Sequence, residues 1–419
     1  MRGRYWVETL GCPKNQVDSE KIEGTLLADG YERAASAAQA DLVVVNTCAF
    51  IEDARRESID VTLQLATARK EGARLVVTGC LAERYGDELA ATLPEADQVA
   101  GFGVPVTLQR KPDHGQVPRL DLLNLPRPPS ARPWAYVKVA EGCDRACGFC
   151  AIPSFRGAQR SRAPESVLAE VESLGAQEIV LVAQDLASYG RDRGQPGLVE
   201  LVRSVAERVP WVRLLYLYPS ELSDRLVDTV EDCCVHYFDL SLQHVSRPHL
   251  RRMRRWGDGA RFLSRIASIR ARMPSAAFRS NFIIGYPGET EDDHDALLEF
   301  IDAAQLDWCG LFAYSEEEGT YAAGLSGAVP AALVAERLAE ASELQDRVTT
   351  KRRAALVGTT VDVLVDAPGV ARSHREAPEI DGVIAVPREL APGSFATVEI
   401  TGAAGPDLEG RPVPALIGG

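Results

Sequence analysis

Short apolar runs of five to eight residues recur along this chain, and the stretches between them carry apolar positions at helical spacing. Near the start, YWVETL (5–10), DLVVVNT (41–47) and RLVVTG (74–79) have the composition and length of buried parallel strands. Residues 19–29 and 52–70 between them consist largely of good helix formers. Strand–helix–strand units of this length predict a doubly wound α/β domain over residues 1–104. Residues 105–132 are rich in Pro and Arg, lack periodicity and predict a linker.

From 133 to 355 the pattern repeats six times. The strand-like runs are YVKVAEG (136–142), EIVLVAQD (178–185), VRLLYLYP (212–219), YFDLSLQH (237–244), FRSNFIIGYPG (278–288) and CGLFAYS (309–315). Ala163-Pro164-Glu165 and Thr290-Glu291-Asp292-Asp293 carry the turn and acidic residues favoured where helices begin. Six β/α units predict a partial TIM-type barrel whose site lies at the carboxyl ends of its strands. Over 356–419 the chain changes to β-branched runs, TTVDVLVD, DGVIAVP and FATVEIT, separated by Gly and Pro. These predict a small antiparallel β domain, either a barrel or a sandwich.

Composition adds limits. A length of 419 residues, 46% hydrophobic and 25% charged, is that of an ordinary globular chain with two or three domains. There is no run of eighteen apolar residues, and MRGRYWVETLGC leads directly into a strand, so no membrane span or signal peptide is expected and the cytoplasm is the expected compartment. Nine cysteines in such a compartment read as metal ligands or core residues, not as disulfides. The net charge of −14 opposes general attraction to a polyanion, although Arg251, Arg252, Arg254 and Arg255 form a local basic patch, either a solvated helix face or a partner contact.

The cysteine positions carry the chemistry. Cys143, Cys147 and Cys150 form CxxxCxxC just after the first barrel strand, and no fourth cysteine follows before Cys233. Soft thiolates suit iron–sulfur centres and zinc, and a closed cubane uses four of them. Three would leave one iron open to a ligand. A zinc site would need a fourth ligand nearby, and His114 is remote in sequence. Cys12, Cys48 and Cys80 each follow one of the first three strands. In an open parallel sheet those strand ends share one edge, where ligands bind. Three residues distant in sequence should therefore meet there as a second three-cysteine set, the alternative being three small buried side chains.

The CxxxCxxC spacing, with Phe149 before its last cysteine, resembles the signature of radical SAM enzymes. The whole chain resembles the methylthiotransferases of that superfamily, with a TRAM-like last domain. Gly11-Cys12-Pro13-Lys14-Asn15-Gln16-Val17-Asp18-Ser19-Glu20 and Glu376-Ala377-Pro378-Glu379-Ile380-Asp381-Gly382 resemble the RimO branch. The tRNA branch, typified by MiaB, reads Gly-Cys-Gln-Met-Asn at the first of these. Asn46-Thr47-Cys48 and Thr78-Gly79-Cys80 are common to both. Ala183 departs from a more frequent Gly.

The resemblance implies two [4Fe-4S] clusters, on Cys143, Cys147 and Cys150 and on Cys12, Cys48 and Cys80, with S-adenosyl-L-methionine as cofactor. It implies hydrogen abstraction from the β-carbon of an aspartate in ribosomal protein S twelve, followed by transfer of CH3S, with an electron donor of unknown identity. The other readings are a tRNA adenosine as substrate and an electron-transfer protein; the second would want fully ligated clusters. From Gly358 onward four Arg stand against nine Asp and Glu, a balance of −5 that suits a basic protein better than RNA and makes tRNA an unlikely partner.

Around the barrel mouth the candidate cofactor-binding residues are Gln184, Asp185, His244, Arg279, Gly285 and Gly288. Gly285-Tyr286-Pro287-Gly288-Glu289 offers a turn that a cofactor can approach closely, and Arg279 offers a partner for its carboxylate or else a core ion pair. Ser241, Gln243, Tyr314 and Ser315 lie at the same strand ends. Cys233, Cys234 and Cys309 read as packing residues, and Asp144 and Arg145 as exposed turn residues.

Overall fold

The computed structural model describes residues 3–104, 106, 121–195 and 197–413. His114 and residues 107–120 of the expected linker lie outside the described residues. The first sheet has five parallel strands in the order Glu32–Arg33, Arg4–Thr9, Leu42–Thr47, Arg74–Gly79 and Gln98–Ala100. Its three inner strands follow the apolar runs. The two edge strands, of two and three residues, are too short to leave such a run. Helices Pro13–Ala28, Glu52–Ala68 and Cys80–Thr92 connect them. The first begins earlier than its periodicity suggests, because Pro13 suits the opening position, where no N–H is needed.

Six parallel strands form the partial barrel. Trp134–Lys138, Glu178–Val182 and Trp211–Leu214 make one half, and Tyr237–Gln243, Ala277–Ile284 and Trp308–Ala313 the other. A bridge between Leu217 and Leu240 joins the halves. Alternation along the strands divides the core into two layers. Ile179 and Leu181 face the surrounding helices, whereas Val180 and Val182 face inward with Trp134, Tyr136, Tyr237 and Trp308.

Helix Ala331–Ala354 leads to the last domain, a closed barrel of Thr360–Ala367, Val370–Arg372, Ile384–Ala385, Phe395–Ala404 and Asp407–Pro412. It is not wholly antiparallel, since Ile384–Ala385 runs parallel to Asp407–Pro412. The residues before Ile384 leave the small barrel to pack into the large one, and the chain returns in the sense of the final strand. Among the described residues no helix is long and apolar enough to cross a membrane.

That detour closes the amino end of the large barrel. Glu178, the first residue of its strand, accepts from Arg213 Nε and Arg372 Nη1 at 2.7 Å each. Glu376 is fully buried on Arg353 and Ser373, and Asp381 accepts from Tyr237 Oη at 2.6 Å and pairs with Arg279. Tyr136 Oη donates to Pro378 O, and Trp308 Nε1 to Arg375 O. The Glu376–Gly382 stretch is therefore a plug, and two of its three acids are neutralised inside the protein. Glu379, on the rim, pairs with Arg132. The −5 balance overstates what this domain presents to a partner.

Buried charges also seat the N-terminal domain. Lys21 reaches Leu123 O and Glu170, and the fully buried Arg127 side chain pairs with Glu20 and Glu170 and donates to Tyr136 O. The described end of the expected linker is thus docked on both domains. On the other flank Glu317, after the sixth barrel strand, takes Arg84 at 2.7 Å and Arg55 at 2.5 Å.

Removing the partner of a buried charge costs about 3–5 kcal/mol. Glu376→Gln is expected to lower unfolding stability by about that much in urea titration, because Arg353 keeps its charge with no carboxylate. Glu389→Gln, on the exposed surface, is expected to leave the titration unchanged.

Candidate functional site

Cys12, Cys48 and Cys80 come together at the carboxyl ends of three neighbouring strands. Register pairs Thr9 with Asn46, and Thr47 with Gly79, so the residues just beyond them emerge at one level. Cys12 caps helix Pro13–Ala28, Cys48 ends the fully buried strand Leu42–Thr47, and Cys80 opens the next helix. Gly11 has φ +94, and a Cβ there would lie 2.9 Å from Cys48 Sγ. A side chain at this position would push into the sulfur set. Asn15 ties the turn, donating to Leu10 O and Thr47 O. Burial pushes the Cys48 thiol up to about 12 and raises Cys80 too, the latter against the pull of Arg156.

Cys143, Cys147 and Cys150 lie on the loop between Ala140–Glu141 and helix Ile152–Arg156, at the carboxyl edge of the large barrel. Cys143 N donates to Gly157 O and Gly148 N to Met253 O, which fixes the loop. Arg255 Nη1 lies 3.3 Å from Cys147 Sγ, and its guanidinium covers the Tyr218 ring. Burial raises Cys143 to about 11 and Cys150 to about 12. Arg145 is not an exposed turn residue. It is half-buried over Tyr218, with Nε on Asp185 at 2.6 Å and Nη2 on Glu221 at 3.1 Å. Asp144 is exposed and accepts from Gln159 N.

One buried guanidinium ties Cys80 to the residues that flank the Cys143–Cys150 loop. Arg156 Nη2 lies 2.9 Å from Cys80 Sγ and 2.7 Å from Asn15 Oδ1. Its Nη1 meets Glu141 at 2.9 Å and Asp18 at 3.0 Å. Lys138 pairs with the same two carboxylates. Glu141 precedes the cluster loop and accepts from Gln184 Nε2 at 2.7 Å. Burial works against the charges of Arg156 and Glu141. For Arg156 the carboxylates and Cys80 outweigh it, and for Glu141 Arg156 and Lys138 do. Gln184 Oε1 and Asp185 Oδ1 are buried acceptors with no partner among the described residues. Arg156, Glu141, Asp18 and Arg255 were not legible as site residues, because no local pattern marks their partners.

The remaining candidates are engaged largely with other protein groups. Arg279 is committed to Asp239 and Asp381, so it is the core ion pair and not a free partner for a cofactor. At Gly285 a Cβ would meet Val334 Cγ2 at 2.4 Å, and at Gly288 Arg252 Cζ at 2.7 Å; the close approach at this turn is to protein. His244 is fully buried, with its ring 4.4 Å from that of His249. With Glu289 they form a group of potential ligand atoms within 4.8 Å of one another. The Glu289 oxygens are taken by Gly285 N and Arg337, and His244 Nδ1 accepts from Ser246 N, which leaves its proton on Nε2. This is a packed neutral pair. Of the basic patch, Arg252 donates to Ser326 O, Arg254 lies on the Tyr321 ring and Arg255 faces Cys147. Cys233, Cys234 and Cys309 pack against the main core.

Three family models match the chain in order: Uncharacterized protein family UPF0004 over residues 4–101, the Radical SAM superfamily over 137–301 and the TRAM domain over 357–413. A solved structure of the radical S-adenosylmethionine methyltransferase TsrM from Kitasatospora setae superposes with a TM-score of 0.50 over 83% of this chain and 89% of that one, at 13% identity, which speaks to the fold alone. Fold, domain order and cysteine placement define a radical SAM methylthiotransferase. Ribosomal protein uS12 methylthiotransferase RimO of Anaeromyxobacter sp. (strain Fw109-5) is 41% identical over 99% of this chain and 97% of its own length. The protein of that name in Moorella thermoacetica is 44% identical over 95% and 96%. The chain belongs to the RimO family of ribosomal protein uS12 methylthiotransferases.

Burial depresses His244 to about 3 and His249 to about 4, so unfolding takes up protons as the pH falls below 6.5. Their contribution to stability is present above 6.5 and is lost as the pH falls toward 4, by about 2 kcal/mol for each imidazole at pH 5. Urea midpoints measured from pH 7.5 to 5 should fall less steeply for a His244→Gln, His249→Gln double variant than for the parent. Separately, Arg156→Met is expected to cost about 3–5 kcal/mol in the same assay, since Asp18 and Glu141 then share only Lys138. Arg56→Met, in an exposed pair with Glu52, is the surface control and is expected to change nothing measurable.

Proposed function

We propose that this enzyme replaces a hydrogen on the β-carbon of an aspartate in uS12 by CH3S, using [4Fe-4S] clusters on both cysteine triplets. The observation that carries the reading is the pair of three-thiol sets, one from each domain, joined through Arg156 and Glu141. The donor chemistry fits. Each set contains sulfur alone, and each has one guanidinium N–H on a sulfur, as suits an anionic iron–sulfur group. A tetrahedral zinc site would want a fourth ligand, and each set offers three sulfurs.

When bound, the clusters and S-adenosylmethionine supply a hydrogen-abstracting radical and a transferable sulfur, which an unactivated carbon requires. The protein provides position. Gln184 Oε1 and Asp185 Oδ1 are the acceptors left for the cofactor's N–H and O–H groups. Arg145, held by Asp185 and Glu221, fixes the Asp185 carboxylate in place. The expected setting is the cytoplasm, where uS12 is made and thiols stay reduced.

The test supplies the anaerobically reconstituted enzyme with S-adenosylmethionine, a one-electron reductant and either uS12 or tRNA. A gain of about 46 Da on uS12, from H to SCH3, with about eight irons per chain, is the expected result. Methylthioadenosine with unmodified uS12 would overturn the substrate, and four irons would overturn the second cluster.

A further inference from the structure

We infer that Lys14 is the residue that receives the carboxylate of the target side chain. This rests on the reading of that target as an aspartate β-carbon. The carbon that accepts sulfur must come beside the Cys12, Cys48 and Cys80 set. Its own carboxylate is one bond away and arrives with it. Burying that charge without a partner would be costly, so a cation is needed at this place.

The other cations around the two sets are already committed. Arg156 and Lys138 serve Asp18 and Glu141, Arg145 serves Asp185 and Glu221, and Arg84 serves Glu317. Arg279 lies between Asp239 and Asp381, and Arg255 between Ser241 O and Cys147. Lys14 differs. It is two residues from Cys12, half-buried, and its Nζ lies 3.3 Å from the centre of the Tyr216 ring, with no carboxylate within ion-pair distance among the described residues. Arg254 is likewise stacked on an aromatic ring, that of Tyr321, but it belongs to the other loop, next to Cys147. Of the two, Lys14 is on the sulfur-donating side.

Its surroundings suit an arriving anion. Lys14 is in the first turn of the sixteen-residue helix Pro13–Ala28, which has no acidic residue there, so the positive end of the helix dipole is not neutralised. Tyr216 is held at φ +63, which an aromatic residue adopts only at a cost, and its N–H is pinned by Asp239 Oδ2 at 2.9 Å. The ring thus holds the ammonium from one face beside the sulfur set, and the remaining N–H groups stay free for a carboxylate.

The test compares Lys14→Met and Lys14→Arg with the parent. Each reconstituted holoenzyme binds fluorescently labelled uS12 carrying either the target aspartate or asparagine in its place, and iron content is measured in parallel. With Lys14→Met, affinity for the aspartate form should fall on the order of tenfold to a hundredfold, while the asparagine form binds as it does to the parent. Lys14→Arg should restore most of the difference, with iron unchanged throughout. Equal binding of the aspartate form by parent and Lys14→Met, or an equal loss of both forms, would overturn the inference. Should Lys14→Met lose iron, Lys14→Gln takes its place with the same expectations. Failure of the parent itself to modify uS12 would instead sink the functional reading.

Discussion

Asp18 and Glu141 bring two negative charges into a dry space already holding Lys138 and Arg156, and neither the N-terminal domain nor the barrel holds all four. Taking each ion out of water costs several kcal/mol, which only mutual pairing offsets. Asp18 comes from the first domain, whereas the other three come from the barrel and its cluster loop. Docking the domains therefore completes the quartet. The same contact sets Cys80 against Arg156, so seating the domains also shapes the first cysteine set.

The other end of the large barrel follows similar physics. Its amino end is lined by Glu178, Arg213, Tyr237 and Trp308, polar groups that would be orphaned if left facing an empty lumen. The segment around Arg372–Asp381 from the last domain fills it and satisfies them. The cysteine sets lie at the opposite, carboxyl end, where Asp18 and Cys80 of the N-terminal domain meet Arg156. This arrangement changes the meaning of the acidic terminal domain, since Asp366, Glu376 and Asp381 serve Arg372, Arg353 and Arg279 inside the protein.

Much of the architecture was legible because it depends on local pattern. Six apolar runs at regular spacing are the six barrel strands, and the Thr290 capping box starts its helix as its residues suggest. The strand ends also announced the cysteines, because in a parallel sheet chain order alone places residues following neighbouring strands on one edge. Edge strands of two or three residues were not legible, nor was the parallel pair in the small barrel.

The sequence by itself determined the fold class, the two cysteine triplets and the family, since each is carried by spacing along the chain. Tertiary structure alone decided which charges meet. Arg279, His244, Gly285 and Gly288 sit at barrel positions that suggest a cofactor, yet each is consumed by packing or pairing: Arg279 with Asp239 and Asp381, His244 with His249, Gly285 with Val334 and Gly288 with Arg252. Arg156 sits in an unremarkable context and Arg255 in a basic run of unstated partner, yet the fold sets each on a cysteine sulfur, and it sets Lys14 on the ring of the distant Tyr216. An apolar stripe needs only its own periodicity to find the core, but a charge is defined by its partners. Those partners are brought together by long-range contacts that no local window contains.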